Sequence, residues 1–205
     1  MFYKFLRWCP GAVGLFLRQR LYPGYVKECG RNVLFGRFVD LGNDQRCISI
    51  GSGVVFNDFV TITTGDNSHN LVIGDNVFIG AGTTINISNA NITIQSGSNV
   101  GSDCVIQSDK PVLIGKNVLV AAFCEIGKMI IPGGRSEIAQ IFRGKGAENV
   151  TIVGQGCWLG VRAKVEAGKQ IGSGTIVGAH SMVTTNLPDR VVAIGTPAVV
   201  LRKRV

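Results

Sequence analysis

Acidic residues are scarce in this chain. Thirteen Asp and Glu stand against 21 Lys and Arg, for a formal net charge of +8. Histidine is rarer still, with two in 205 residues, which excludes a metal site built on three histidines. No apolar run approaches the roughly 20 residues that a membrane-spanning helix requires. No basic stripe interleaved with aromatics appears, so nucleic acid is not an expected partner. The cysteines (Cys9, Cys29, Cys47, Cys104, Cys124 and Cys157) include no Cys-x-x-Cys pair, so neither zinc nor any other metal is expected. They read as buried free thiols, because a chain of this size needs no disulfide staples. A secretory leader keeps its charge ahead of a clean apolar stretch. The opening MFYKFLRWCPGAVGLFLRQR instead mixes apolar residues with Arg and Lys throughout. The segment is therefore expected to be retained and the chain to be cytoplasmic.

Glycine is what the sequence has in excess. Its 28 residues are about twice the usual share of roughly 7%, without the every-third-residue period of collagen. So many glycines imply very many turns. From residue 50 the sequence falls into groups of six, each opening on a large apolar residue. Ile50, Phe56 and Ile62 form one set, followed by Ile73, Ile79 and Ile85, by Ile94, Val100 and Ile106, and by Ile114, Val120 and Ile126. After a gap come Val153, Leu159 and Val165, then Ile171, Val177 and Val183; Phe35 and Leu41 look like a frayed earlier set. The fifth position is small or β-branched, as in Val54, Val77, Cys104, Cys124, Ala163 and Thr175. In a strand of period two, positions one and five face the same side. One bulky and one slim inward residue per six describes a short strand and a corner. Three such sides close a triangular coil of about 18 residues, and coils stack at ~4.8 Å. The expectation is an all-β solenoid, a parallel β-helix. Cys104 and Cys124 fall at the same position of successive coils, so they should stack in the core.

The pattern, clearest in Ile73-Gly74-Asp75-Asn76-Val77-Phe78 and in the stretch from Val153 to Arg202, resembles the bacterial hexapeptide-repeat acyltransferases. These are left-handed β-helix proteins, and the likeness is to their sugar and polysaccharide O-acetyltransferase branch. It covers roughly residues 30–205. The resemblance implies a homotrimer, acetyl-CoA as donor, and a saccharide acceptor in cell-surface polysaccharide or glycoconjugate synthesis. It implies a donor groove between two neighbouring β-helices, lined by Trp158, Gly160, Gly178, Ala179, His180, Ser181 and Thr184. Pro197 would lie near the adenine, and Arg202 and Lys203 would meet phosphates.

Such enzymes use a histidine as general base, removing the acceptor hydroxyl's proton as it attacks the thioester. Relatives carry it in a loop that here runs between Ile126 and Ile152, and this loop holds no histidine. Aligned by length, the base would fall near Ile131 and its acidic neighbour near Met129. The candidate catalytic pair is therefore His69 with Asp66, in the interruption Thr63–Asn70. Glu125, Glu137 and Glu148 are carboxylates near the long loop, and Arg135 and Arg143 could hold an anionic acceptor. A second reading is a trimeric β-helix without catalysis, serving as a scaffold or binding subunit.

Three regions are expected: an apolar and basic helical segment at 1–30, the β-helix at 31–200 with an extruded loop at 127–151, and a basic tail at 201–205. Phe2, Phe5, Leu6, Trp8, Leu15, Phe16 and Leu17 with interspersed cations suit either peripheral contact with an anionic membrane at its inner face or a helical cap over the first coil.

Overall fold

A computed structural model describes residues 2–65, 69–128 and 150–204. The chain winds as a left-handed parallel β-helix. Its three faces, counted among the described residues, hold seven, nine and six strands. The first face begins at Glu28–Cys29 and ends at Gln170–Ile171, the second begins at Leu34–Phe35, and the third runs from Thr61–Thr63 to Met182–Val183.

The register follows the six-residue repeat. On the first face Ile50, Ile73, Ile94, Ile114, Val153 and Ile171 pair in sequence. On the third, Ile62, Ile85, Ile106, Ile126, Val165 and Val183 do the same. These residues are essentially solvent-free, so each coil buries its bulky residue against identical positions above and below. The slim fifth positions complete the core. Cys104, Cys124 and Cys157 point inward, and their thiols donate to the carbonyls of Ala121 (3.2 Å), Gly160 (3.2 Å) and Gly172 (3.0 Å). All six cysteines are free thiols.

Both ends of the solenoid are covered. At the start lie α1 (Phe2–Trp8) and α2 (Gly11–Leu21). Leu6 and Tyr22 are fully buried over the first coil. Tyr22 meets Phe35, which stacks on Phe56 with 5.2 Å between ring centroids. Arg18, at the end of α2, is also buried and donates to the carbonyls of Phe35 (3.0 Å), Leu6 (3.1 Å) and Cys9 (2.7 Å). Two of these carbonyls lie at the C-terminal end of α1, which lacks intrahelical partners and favours a cation. At the other end, Val191–Gly195 and Ala198–Lys203 form an antiparallel hairpin on the second face.

Three details differ from the sequence reading. The β-helix begins before residue 31, because Glu28–Cys29 already pairs with Ser49–Ile50. The set at Phe35 and Leu41 is not frayed, since both side chains are fully buried. The segment 201–205 is not a free tail as far as Lys203, because the hairpin takes it into the sheet.

Candidate functional site

The corners of the coil are not alike. On two of the three edges each corner ends in a residue with positive φ, three places after the bulky one. On the edge between the first and second faces these residues are Asn32, Gly53, Asn76, Gly97, Asn117, Gly156 and Gly174, with Arg190 at the last turn. Glycine and asparagine adopt this left-handed conformation at little cost. On the edge between the second and third faces the same position holds Phe38, Phe59, Gly82, Asp103, Phe123, Arg162 and His180. For a bulky L-residue the conformation costs about 1–2 kcal/mol. Backbone strain of this kind clusters where side chains are held for a purpose.

Four of these residues, Asp103, Phe123, Arg162 and His180, line one cavity of about 410 Å³. Outward residues of the adjoining third face, among them Glu125, Lys164 and Met182, complete it. The Arg162 guanidinium lies over the Phe123 ring, 5.5 Å from its centroid, a cation–π arrangement. Lys164 Nζ is 2.9 Å from Glu125 Oε1, so that carboxylate is engaged in an ion pair. The wall therefore offers an exposed imidazole, the Arg162 guanidinium and an aromatic ring, with the Asp103 carboxylate and the Lys164–Glu125 ion pair beside them: groups able to accept a proton and to hold an anion.

The proposed donor residues divide over this neighbourhood. Gly160 and Gly178 sit at the turns leading to Arg162 and His180. A Cβ at Gly160 would stand 2.5 Å from the Ala179 nitrogen, and one at Gly178 would stand 2.7 Å from Ile194 Cγ2. Close coil spacing alone thus requires glycine at both. Thr196 Oγ1 donates to the His180 carbonyl at 3.3 Å, which brings the turn containing Pro197 to the same edge. Ser181 faces inward, and its Oγ accepts from the Gly195 amide at 3.0 Å. Trp158 is exposed on the outer side of the second face, aligned with Leu119 and Ile176. Arg202 and Lys203 pair opposite Val192 and Val191, at the far end of the hairpin from Pro197. Thr184 leaves the third face partly buried.

His69 lies elsewhere. It precedes the strand Leu71–Ile73 at the edge between the third and first faces, partly buried. From Ile73 to Ile171 the chain climbs four coil steps, which is roughly 19 Å at the strand spacing. Asp66 lies outside the described residues, as do Met129, Ile131, Arg135, Glu137, Arg143 and Glu148. The same third edge carries a second, polar cleft of about 300 Å³ lined by Asn86, Asn89, Gln107, Ser108, Asp109 and Lys128. Asn89 Nδ2 donates to Asp109 Oδ1 at 3.0 Å. Among the described residues no group of His, Cys, Asp or Glu could hold a metal ion.

Sequence reasoning missed Asp103, Phe123 and Arg162. Their signal was present: they occupy the turn position that glycine and asparagine fill on the neighbouring edge at every turn but the last, where Arg190 stands.

No family model matches the chain. It is 29% identical over 133 residues to a galactoside O-acetyltransferase of Lactococcus lactis, covering 64% of this chain and 62% of that protein. A protein of Escherichia coli K12 named for lipopolysaccharide biosynthesis and O-acetyl transfer is 29% identical over 182 residues, covering 89% of this chain and 76% of its own length. Among solved structures, a variant of AntD, an N-acyltransferase from Bacillus cereus in complex with dTDP and coenzyme A, superposes with a TM-score of 0.60 at 18% identity. That match covers 93% of this chain and 90% of the other, and it is a likeness of fold. The chain spans less than two thirds of the length of several curated relatives it matches, the Lactococcus protein among them.

Proposed function

The chain belongs to the hexapeptide-repeat acyltransferase family, and from that premise we propose that it transfers an acetyl group from acetyl-CoA to a saccharide hydroxyl in cell-surface polysaccharide or glycoconjugate synthesis. One observation carries this reading: strained His180 and Arg162 line a single cavity beside the turns of Gly160, Gly178 and Pro197.

Donor and acceptor meet at that edge. Gly160, Gly178 and Ala179 present backbone at close range, which suits a narrow thioester arm. Trp158 offers an apolar platform, and Arg202 and Lys203 offer charge to phosphates. His180 accepts the proton of the acceptor hydroxyl as its oxygen attacks the thioester carbonyl. The new ester C–O bond forms, the C–S bond breaks, and the proton passes from the imidazole to the departing thiolate. Arg162 stabilises the charge that develops on the carbonyl oxygen. The pair His69 and Asp66 is the second reading of the base, favoured by the polar cleft on its own edge.

The working unit is a homotrimer. Support comes from the apolar residues left exposed on the second face and hairpin, Leu119, Trp158, Val199, Val200 and Leu201, a patch of the kind that a partner covers. The site of action is the cytoplasm, at the inner face of the membrane. Among the described residues no helix is long and apolar enough to cross it.

The test is acetyl-CoA turnover with saccharide acceptors by the wild type, His180→Ala and His69→Ala. The expected result is a loss of at least 100-fold in His180→Ala, within the range for a general base, with His69→Ala close to wild type. The reverse pattern moves the base to His69. No rise in melting temperature with millimolar acetyl-CoA would leave a scaffold instead of an enzyme.

A further inference from the structure

The two N-terminal helices do more than cover the first coil. Their inner side accounts for the cap, through buried Leu6, Tyr22 and Arg18. Their outer side is also apolar. Phe5 and Trp8 on α1 are 51% and 58% exposed, and Val13 and Phe16 on α2 are 67% and 65% exposed. Phe5 and Trp8 are three residues apart, as are Val13 and Phe16, so each pair shares a helical stripe. Arg20 continues the α2 stripe one turn beyond Phe16.

The charge here is mostly positive. Residues 1–27 contain Lys4, Arg7, Arg18, Arg20 and Lys27 and no Asp or Glu, and exposed Glu28 is the one acidic residue before Arg31. Arg18 is buried and Arg7 pairs with Asp40 at 2.7 Å. Arg20, Lys27 and the neighbouring Arg31 remain exposed. Exposed Trp and Phe beside cations, on helices too short to span, are the signature of a segment lying in the bilayer interface. Docking between two copies through this face would set cation against cation, since a twofold contact repeats the same patch on both sides.

We propose that the outer face of α1 and α2 docks the protein on an anionic lipid bilayer, with Trp8 and Phe16 in the headgroup region and Arg20 and Lys27 facing lipid phosphates. This deepens the reading of an enzyme at the inner membrane face and rests on it for location, but not for chemistry. An aromatic pair and a few cations give reversible attachment, weaker than a lipid anchor with two signals.

The experiment is sedimentation of the full chain with vesicles of phosphatidylcholine alone or mixed with phosphatidylglycerol. A Trp158→Phe background, used for the fluorescence reading alone, leaves Trp8 as the reporter of insertion, while sedimentation, turnover and oligomeric mass are read with Trp158 in place. Binding is expected to the anionic vesicles, with a blue shift of Trp8 emission and a loss on adding salt. Arg20→Gln should weaken it about fivefold, the effect of one cation near an anionic surface. Trp8→Ser with Phe16→Ser should abolish it while leaving the circular dichroism and acetyl-CoA turnover unchanged. Equal binding to both vesicle types, no binding, or a change of oligomeric mass in the double variant would overturn the proposal; the last would make the patch a protein contact. His180→Ala should bind vesicles like the wild type, so failure of the chemistry and failure of the docking are separable.

Discussion

Replacing Arg18 with methionine should loosen the N-terminal helices from the coil. Methionine keeps an apolar stem as far as the position of Nε, so the packing of the stem is largely preserved. What goes is the guanidinium and its three bonds to the carbonyls of Phe35, Leu6 and Cys9. Each buried acceptor left without a partner costs about 1–3 kcal/mol. Removing a buried charge offsets part of that sum, and carbonyl oxygens tolerate a missing partner better than amides. A net loss of about 3 kcal/mol is expected from these terms. It should fall on local opening of α1 and α2, which pack only on the end of the solenoid. At 1.4 kcal/mol per tenfold, amide exchange in these helices should accelerate about 100-fold, with smaller changes in the central coils. Arg18→Lys should recover little, because an ammonium cannot serve three carbonyls in a fork geometry. Unchanged exchange in Arg18→Met would refute the idea that this residue pins the cap, and would leave the attachment to Leu6, Tyr22 and the Arg7–Asp40 ion pair.

Asp58 supplies a pH-dependent prediction. Burial raises its pKa, but hydrogen bonds from Arg37 and the charges of Arg37 and Arg18 outweigh this and hold it below its ordinary 3.8. A carboxylate with a depressed folded pKa contributes stability above its unfolded value and loses it as pH falls through the folded one. Asp58→Asn should therefore be less stable than wild type at neutral pH, with the gap closing as the pH drops below 3.8; denaturant melts across that window would show a constant gap if the ion pair is irrelevant. Gly160→Ala should lower stability by about 1–3 kcal/mol through overpacking, because the new methyl would meet the Ala179 backbone at 2.5 Å. An unchanged melting temperature would mean that coil spacing does not require this glycine.

The coil was legible in the sequence because its signal is repeated. Ile50, Ile73, Ile94 and Ile114 recur at one position and stack in the structure as that position demands. The cavity was not legible, for two reasons. Its parts are spread from Asp103 to His180, and only the stacking of coils brings them to one wall. A search for histidine beside an acid also favours His69, with Asp66 three residues before it, over His180, which the resemblance places in the donor groove. The informative feature was the side chain out of place: Phe123, Arg162 and His180 stand where glycine and asparagine would fit at lower cost. The end of the chain misled for a related reason. Arg202 and Lys203 fall in the basic tail expected at 201–205, yet the hairpin carries them opposite Val192 and Val191, a pairing set by the turn at Thr196–Pro197 and invisible to a six-residue period.

A crystal structure of the protein with coenzyme A bears most directly on the site of transfer. The sulfur should lie within hydrogen-bond reach of His180, in the cavity shared with Arg162 and Phe123, with the arm running past Gly160 and Gly178. A sulfur held at the opposite edge beside His69, or coenzyme A seated away from both histidines, would contradict that placement and remove His180 from the chemistry.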